Sequence, residues 1–132
     1  MILEQFPLTV VATMAALFVF FFCMVKVGAA RAKHNVKAPS VDGPEEFQRT
    51  YRVHQNMVEQ LVFHLPSMWL FAIAWGDVWA GVLGFIFVIG RIIYSIGYYE
   101  AAEKRSRGFG ISSLASIILA VGALVGAILA LL

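Results

Sequence analysis

Apolar positions run along this chain in long blocks, and the polar positions between them mark where the blocks end. From Gln5 to Val25 no charge interrupts 21 residues, which at about 1.5 Å per helical residue covers roughly 31 Å, the depth of a bilayer's hydrocarbon core. No basic residue precedes this block and no small-x-small cleavage pattern follows it, so it reads as a retained span. The segment Lys26 to Glu46 holds Pro39, Ser40, Asp42, Gly43 and Pro44, residues of loops and helix starts. A second block, about Phe47 to Trp75, is uncharged from Gln60 to Gly76 and carries Pro66, where a kink is expected. After the tight Gly76-Asp77 connection a third runs from Val78 to about Glu103, broken by Arg91, and a fourth from Gly108 to Leu132. The pattern predicts four helices, over about 5–30, 47–75, 78–103 and 108–132, in a single all-α integral membrane domain built as a four-helix bundle.

Composition agrees. Of 132 residues, 61% are hydrophobic and 14% charged, with mean hydropathy +0.82, whereas soluble domains carry about 25% charged residues. The chain has no room for a separate soluble catalytic domain, so any chemistry belongs among the membrane helices. The ten Lys and Arg residues form no dense run, which excludes nucleic acid as a partner. They all lie around the first-to-second connection or on the later half of helix three and just beyond it. By the positive-inside rule those connections are cytoplasmic and both termini face the opposite side. Trp75 and Trp79 flank Asp77 as an outer aromatic belt, and Gly122 with Gly126 forms a small-xxx-small pattern suited to close helix approach.

The informative residues are the ones a bilayer rejects. Arg91 sits mid-helix, at a cost of about 2.5–3.5 kcal/mol on insertion scales. Arg52, Asn56 and Glu59 are spaced i, i+4, i+7, within an arc of roughly 60°, and Arg91, Tyr94 and Tyr98, at i, i+3, i+7, form a second narrow stripe. Counted from the outer turn at about 1.5 Å per residue, Glu59 lies roughly 26 Å down helix two and Arg91 roughly 20 Å down helix three. The stripes therefore overlap in the cytoplasmic half, where Glu59 and Arg91 are placed to pair, directly or through a ligand. One reading is a buried ion-pair network that only specifies packing. Against it, Arg31, Arg52, Arg91 and Arg105 approach this layer with a single intramembrane carboxylate, Glu59. That surplus suits a small polyanion carrying an ammonium group.

No nucleophile emerges from the chain itself. Cys23, the lone cysteine, lies in an apolar run and reads as packing. His34 falls in the loop and His64 has no second ligand near it, so no metal site is expected. Asp42, Glu45 and Glu46 solvate or cap the start of helix two, and Lys104 and Arg107 anchor at the interface.

The segment Phe47-Gln-Arg-Thr-Tyr-Arg52-Val-His54-Gln-Asn56-Met-Val-Glu59, preceded by Gly43-Pro44-Glu45-Glu46, resembles the helix-two signature of the MAPEG family, the membrane-associated proteins of eicosanoid and glutathione metabolism. Arg91-Ile-Ile-Tyr94-Ser-Ile-Gly97-Tyr98-Tyr99 with Lys104-Arg105 is similar to its helix-three signature. The likeness covers essentially the whole chain and lies nearest the branch of microsomal glutathione transferases two and three and leukotriene C4 synthase, although Gln60 and Pro66 depart from the leukotriene-forming members. The resemblance implies a homotrimer with glutathione as co-substrate, bound between subunits near the cytoplasmic face and held by Arg31, Arg52, His54, Asn56, Glu59, Arg91, Tyr94 and Tyr98. Glu59 would take the ammonium group, and Arg105 would stabilise the thiolate. The expected activity is conjugation of lipophilic electrophiles or reduction of lipid hydroperoxides, in a bacterial inner membrane. A non-catalytic lipid-binding or scaffold member of the same family is the alternative, with a small multidrug or proton-coupled transporter a third class that the surplus of arginines disfavours.

Overall fold

The computed structural model describes residues 1–132, the side chain of residue 2 excepted. A single turn, α1 (Ile2–Gln5), leads into α2 (Pro7–His34), α3 (Glu45–Trp75), α4 (Asp77–Glu100), a 3-10 turn (Ala102–Arg105) and α5 (Ser106–Leu131). The four long helices are each long and apolar enough to cross a membrane, and α4 packs against α2, α3 and α5. The protein is an all-helical, multi-pass integral membrane protein.

Pro7 opens α2 at the position where a missing N–H costs nothing. The orphan donors of this first turn are met from across the bundle. Leu8 N donates to Asp77 Oδ2 at 2.9 Å, and Thr9 N and Thr9 Oγ1 donate to Asp77 Oδ1 at 2.7 and 2.8 Å. Asp77 is itself the first residue of α4, so one carboxylate faces the positive ends of two helices. Gly76, at φ +94, makes this turn one residue long.

The first span is longer than its uncharged block suggests. Ala29, Ala30, Arg31, Ala32 and Lys33 favour helix and carry α2 on to His34, where Asn35 in the left-handed region closes it with its N–H on the Arg31 carbonyl. His34 is thus the end of a helix and not part of a loop. α3 passes through Pro66 as one uninterrupted helix.

Apolar side chains point both ways, as a bilayer permits. Small residues hold the crossings: Ala12, Ala16, Ala80, Ala115, Ser112 and Ser116 are all at most 2% exposed. Gly122 lies under the Phe71 ring and Gly126 against Ala74 and Trp75, whose Nε1 donates to the Gly122 carbonyl at 2.8 Å. Two pairs of polar side chains meet inside the bundle. His64 Nδ1 and Ser116 Oγ are 2.9 Å apart while the imidazole stacks on Phe87, and Trp69 Nε1 donates to Thr13 Oγ1 at 3.1 Å. Outward stand Phe18, Val62, Ile73, Leu114 and Leu124.

The junction after α4 departs from the expected helix to residue 103. α4 stops at Glu100 because Ala101 is extended (φ −158, ψ 143), and the chain turns once before α5 begins at Ser106. Gly97 makes this turn fit, since the Lys104 carbonyl rests where a Cβ would stand. Arg105 is carried on that turn, folded back on α4.

Candidate functional site

At the end of the bundle opposite the Gly76 turn, Arg52, Gln55, Asn56 and Glu59 of α3 face Tyr94 and Tyr98 of α4 and Arg105 of the 3-10 turn across a cavity of about 240 Å³. Its lining is almost wholly polar. The α3 side follows helical periodicity, because positions i, i+3, i+4 and i+7 share one face. Gln55 escaped the sequence reading, which took only the tighter arc of Arg52, Asn56 and Glu59; the i+3 neighbour widens that arc to roughly 100°.

The charges in this cavity are held loosely. Glu59 accepts from Asn56 Nδ2 at 3.3 Å, and the ion pairs found among the described residues involve Glu4, Glu45, Glu46 and Glu100 instead. Arg52 and Glu59 are exposed in the single chain. Arg105 donates to the Ala102 carbonyl at 3.0 Å, and its guanidinium carbon stands 5.1 Å from the Tyr98 ring centroid. Tyr98 meets Tyr94 edge-on at 5.6 Å, and Tyr94 in turn lies under Arg91, 3.9 Å from guanidinium carbon to ring centroid. The order is cation, ring, ring, cation, with the free ends of Arg52 and Glu59 opposite.

Arg91 does not pair with Glu59. It is fully buried behind Tyr94, and Nε, Nη1 and Nη2 all lack a hydrogen-bond partner. Its position on α4 fits the stripe with Tyr94 and Tyr98, but its side chain lies against the Tyr94 face and not in the cavity lining. Arg31 and His54 also stay out of this chain's cavity. Arg31 Nη1 donates to the Ser40 carbonyl at 2.6 Å and lies over the Phe47 ring, tying down the loop of residues 35–44. His54 stacks on Phe20 of α2 at 5.3 Å, and its buried Nδ1 has no partner.

Neighbouring charges brace the site. Arg49 Nη1 donates to Glu45 at 2.6 Å, and its Nε donates at 3.3 Å to the Tyr99 carbonyl at the end of α4. Glu46 accepts from Lys33 at 2.6 Å and faces His34 at 3.6 Å, so the start of α3 is bound to the end of α2. Lys104 pairs with Glu100. Among the described residues no group of His, Cys, Asp and Glu is arranged to hold a metal ion.

The sequence profile of the MAPEG family matches residues 8–125. The chain belongs to the MAPEG family. Within the family's range it is 48% identical over 117 residues to an uncharacterized protein of Synechocystis, covering 89% of this chain and 82% of that one. It is 38% identical over 101 residues to microsomal glutathione S-transferase 2 of Homo sapiens, covering 76% and 69%. Leukotriene C4 synthase of Cavia porcellus is 28% identical over 102 residues, covering 77% and 68%. The two halves of the cavity, Arg52 to Glu59 and Tyr94 to Arg105, both fall within the residues that the family profile spans.

Proposed function

We propose that this MAPEG protein is a membrane-bound glutathione transferase, which binds glutathione in the Arg52–Arg105 cavity and directs its thiolate at lipophilic electrophiles. The observation that carries the reading is the cavity's chemistry: two guanidinium groups and two phenols around one carboxylate, a match for a tripeptide with two carboxylates, one ammonium and one thiol. Glu59 faces the ammonium, Arg52 a carboxylate with Asn56 and Gln55 hydrogen-bonding beside it, and Arg105 the sulfur. Arg91 presses on Tyr94 from behind and holds the ring that floors the cavity. The relatives named for glutathione transfer and leukotriene C4 synthesis support the same reading.

A free thiol has pKa about 8.5 and is a few per cent thiolate at neutral pH. Lowering it by about two units takes roughly 2.7 kcal/mol of preference for the anion. Unit charges about 4 Å apart interact by about 4 kcal/mol at an effective dielectric of about 20, so one arginine suffices. The thiol proton leaves to water at the cavity mouth, the sulfur lone pair forms a bond to the electrophilic carbon, and the displaced group departs with its electron pair. With a hydroperoxide, the sulfur attacks the terminal oxygen and the O–O bond breaks, giving the alcohol and a glutathione sulfenic acid; a second glutathione then forms the disulfide and releases water.

One chain supplies only part of the enclosure. About 240 Å³ falls below the roughly 300–1,000 Å³ of small-molecule sites, and Arg31 and His54 face away from their own chain's cavity. A homotrimer that brings those side chains to a neighbour's cavity reconciles both facts, with the sites at the cytoplasmic face, both termini outside, and a bacterial inner membrane as the host.

The direct test is ultraviolet difference absorbance. Adding glutathione to the purified protein at neutral pH is expected to raise a thiolate band, and turnover with 1-chloro-2,4-dinitrobenzene to follow. A silent spectrum together with absent turnover refutes the enzyme and leaves the non-catalytic, lipid-binding alternative.

A further inference from the structure

A second cavity, about 510 Å³, opens between α2 and α4 and shares no residue with the first. On α4 it uses Ile92, Ser95, Ile96 and Tyr99. At about 100° per residue the centre of that face lies roughly 130° around the helix from Tyr94 and Tyr98, so the body of α4 separates the two sites. We infer that this groove binds a single-chain amphiphile with a carboxylate head, a long-chain fatty acid of the inner leaflet.

Its walls are Phe18 and Phe22 on one side and Ile92 and Ile96 on the other, each pair one helical turn apart and each residue exposed along the groove. With Val19, Cys23 and Ser95 as its floor, the trough between these two rows admits one acyl chain along its length. Charge is confined to one end. Lys26 stands there with its ammonium 4.2 Å from the Tyr99 ring centroid and 5.7 Å from that of Phe22. No carboxylate pairs with it among the described residues, while Lys33 and Lys104 both have one. The Tyr99 hydroxyl is occupied on Cys23 Sγ at 3.7 Å, leaving the ammonium as the free donor.

Depth fits the same occupant. At about 1.5 Å per residue, Lys26 lies roughly 29 Å from the start of α2, at the inner edge of a hydrocarbon core of about 30 Å, and Phe18 lies near its middle. A carboxylate on Lys26 would therefore sit at headgroup level while its chain follows the groove toward the midplane. An exposed cation beside aromatic rings at this depth gains from such an anion, and the aromatic contacts orient the ammonium beforehand. A phospholipid of equal charge must leave its second chain outside the groove, which favours the single-chain acid.

The test is photolabelling of the full-length protein in nanodiscs with a diazirine-bearing palmitic acid, followed by peptide mapping. Label is expected on α2 and α4 between Phe18 and Tyr99, displaced by oleate and not by phosphatidylglycerol. Lys26→Gln should reduce it several-fold, and Ile96→Trp, which fills the groove from an exposed wall, should remove it, with melting temperature and elution volume checking that both variants fold. Label unaffected by either substitution, equal displacement by phosphatidylglycerol, or disulfide trapping of Phe22→Cys between two copies, which would mark the groove as covered by another chain, overturns the inference.

Discussion

Arg105 carries the sharpest consequence of the cavity. If its charge lowers the thiol pKa by about two units, the thiolate fraction at pH 7 falls from about three quarters to about 3% in Arg105→Ala, so kcat/KM for 1-chloro-2,4-dinitrobenzene drops by roughly 25-fold. The sign with pH follows: the variant's rate should climb through about pH 8.5, where an unassisted thiol ionises, while the parent's is already flat there. Arg105→Lys should recover part of the loss. Identical pH profiles for parent and alanine variant would remove Arg105 from thiol activation. Glu59→Gln tests the other end of the ligand. A charge-assisted hydrogen bond is worth about 1.5–3 kcal/mol, so the KM for glutathione should rise about tenfold or more with kcat little changed. Cys23 is buried to 0% exposure, and Cys23→Ala should leave both parameters alone.

The two stripes were legible from spacing because they follow helical geometry alone, and Arg52, Asn56, Glu59, Tyr94 and Tyr98 do line one cavity. The rest of the site depends on tertiary choices that spacing does not encode. Arg91 shares the α4 stripe yet turns onto the Tyr94 ring, and Arg31 is long enough to reach back to its own loop. Gln55 was hidden for the opposite reason, being an ordinary polar residue whose role appears only when α4 closes over it.

At the scale of elements, the junction between α4 and α5 decides where Arg105 stands, the charge proposed to activate the thiol. Gly97 admits the Lys104 carbonyl against α4, and the next residue is Arg105. Gly97→Val should push the turn outward, cutting kcat while helix content by circular dichroism and the KM for glutathione hold nearly steady. A normal kcat in that variant would separate the turn's position from catalysis. Periodicity does not mark this turn, because Ala101-Ala102-Glu103-Lys104 is a good helix-forming string. The extended Ala101 is imposed by the need to reverse direction into α5. The length of α2 was underread for a related reason: charge marks where a helix meets water and not where it ends, so the helix continues past Lys26 to His34.

For the molecule as a whole, four spans and the family were plain from hydropathy and two motifs, whereas the long-range tie from Asp77 to Leu8 and Thr9 joins residues too far apart in sequence for any local rule to connect. Caps of this kind contribute about 0.5–2 kcal/mol, so Asp77→Ala should lower the melting temperature by several degrees while the thiolate spectrum, formed at the other end, is unchanged. Orientation has its own check. Because the single native thiol is buried, cysteines placed at Lys37 and at Trp79 can be labelled selectively by an impermeant maleimide, Trp79→Cys from outside the cell and Lys37→Cys only after lysis. The reverse pattern would invert the topology and place the cavity outside.

That carboxylate at the Gly76 turn gives the bundle two unequal ends. Where α2 begins, a single acid fastens it to the hairpin of α3 and α4; where it finishes, the fastening is by exposed pairs such as Lys33 with Glu46, which water and salt loosen. This helix is therefore tied to α4 by a part-buried carboxylate at one rim, and at the other to α3 by pairs that yield more readily. Amide exchange should be faster at the Lys33 end than at the Asp77 end, and guests would enter where the staves part most readily.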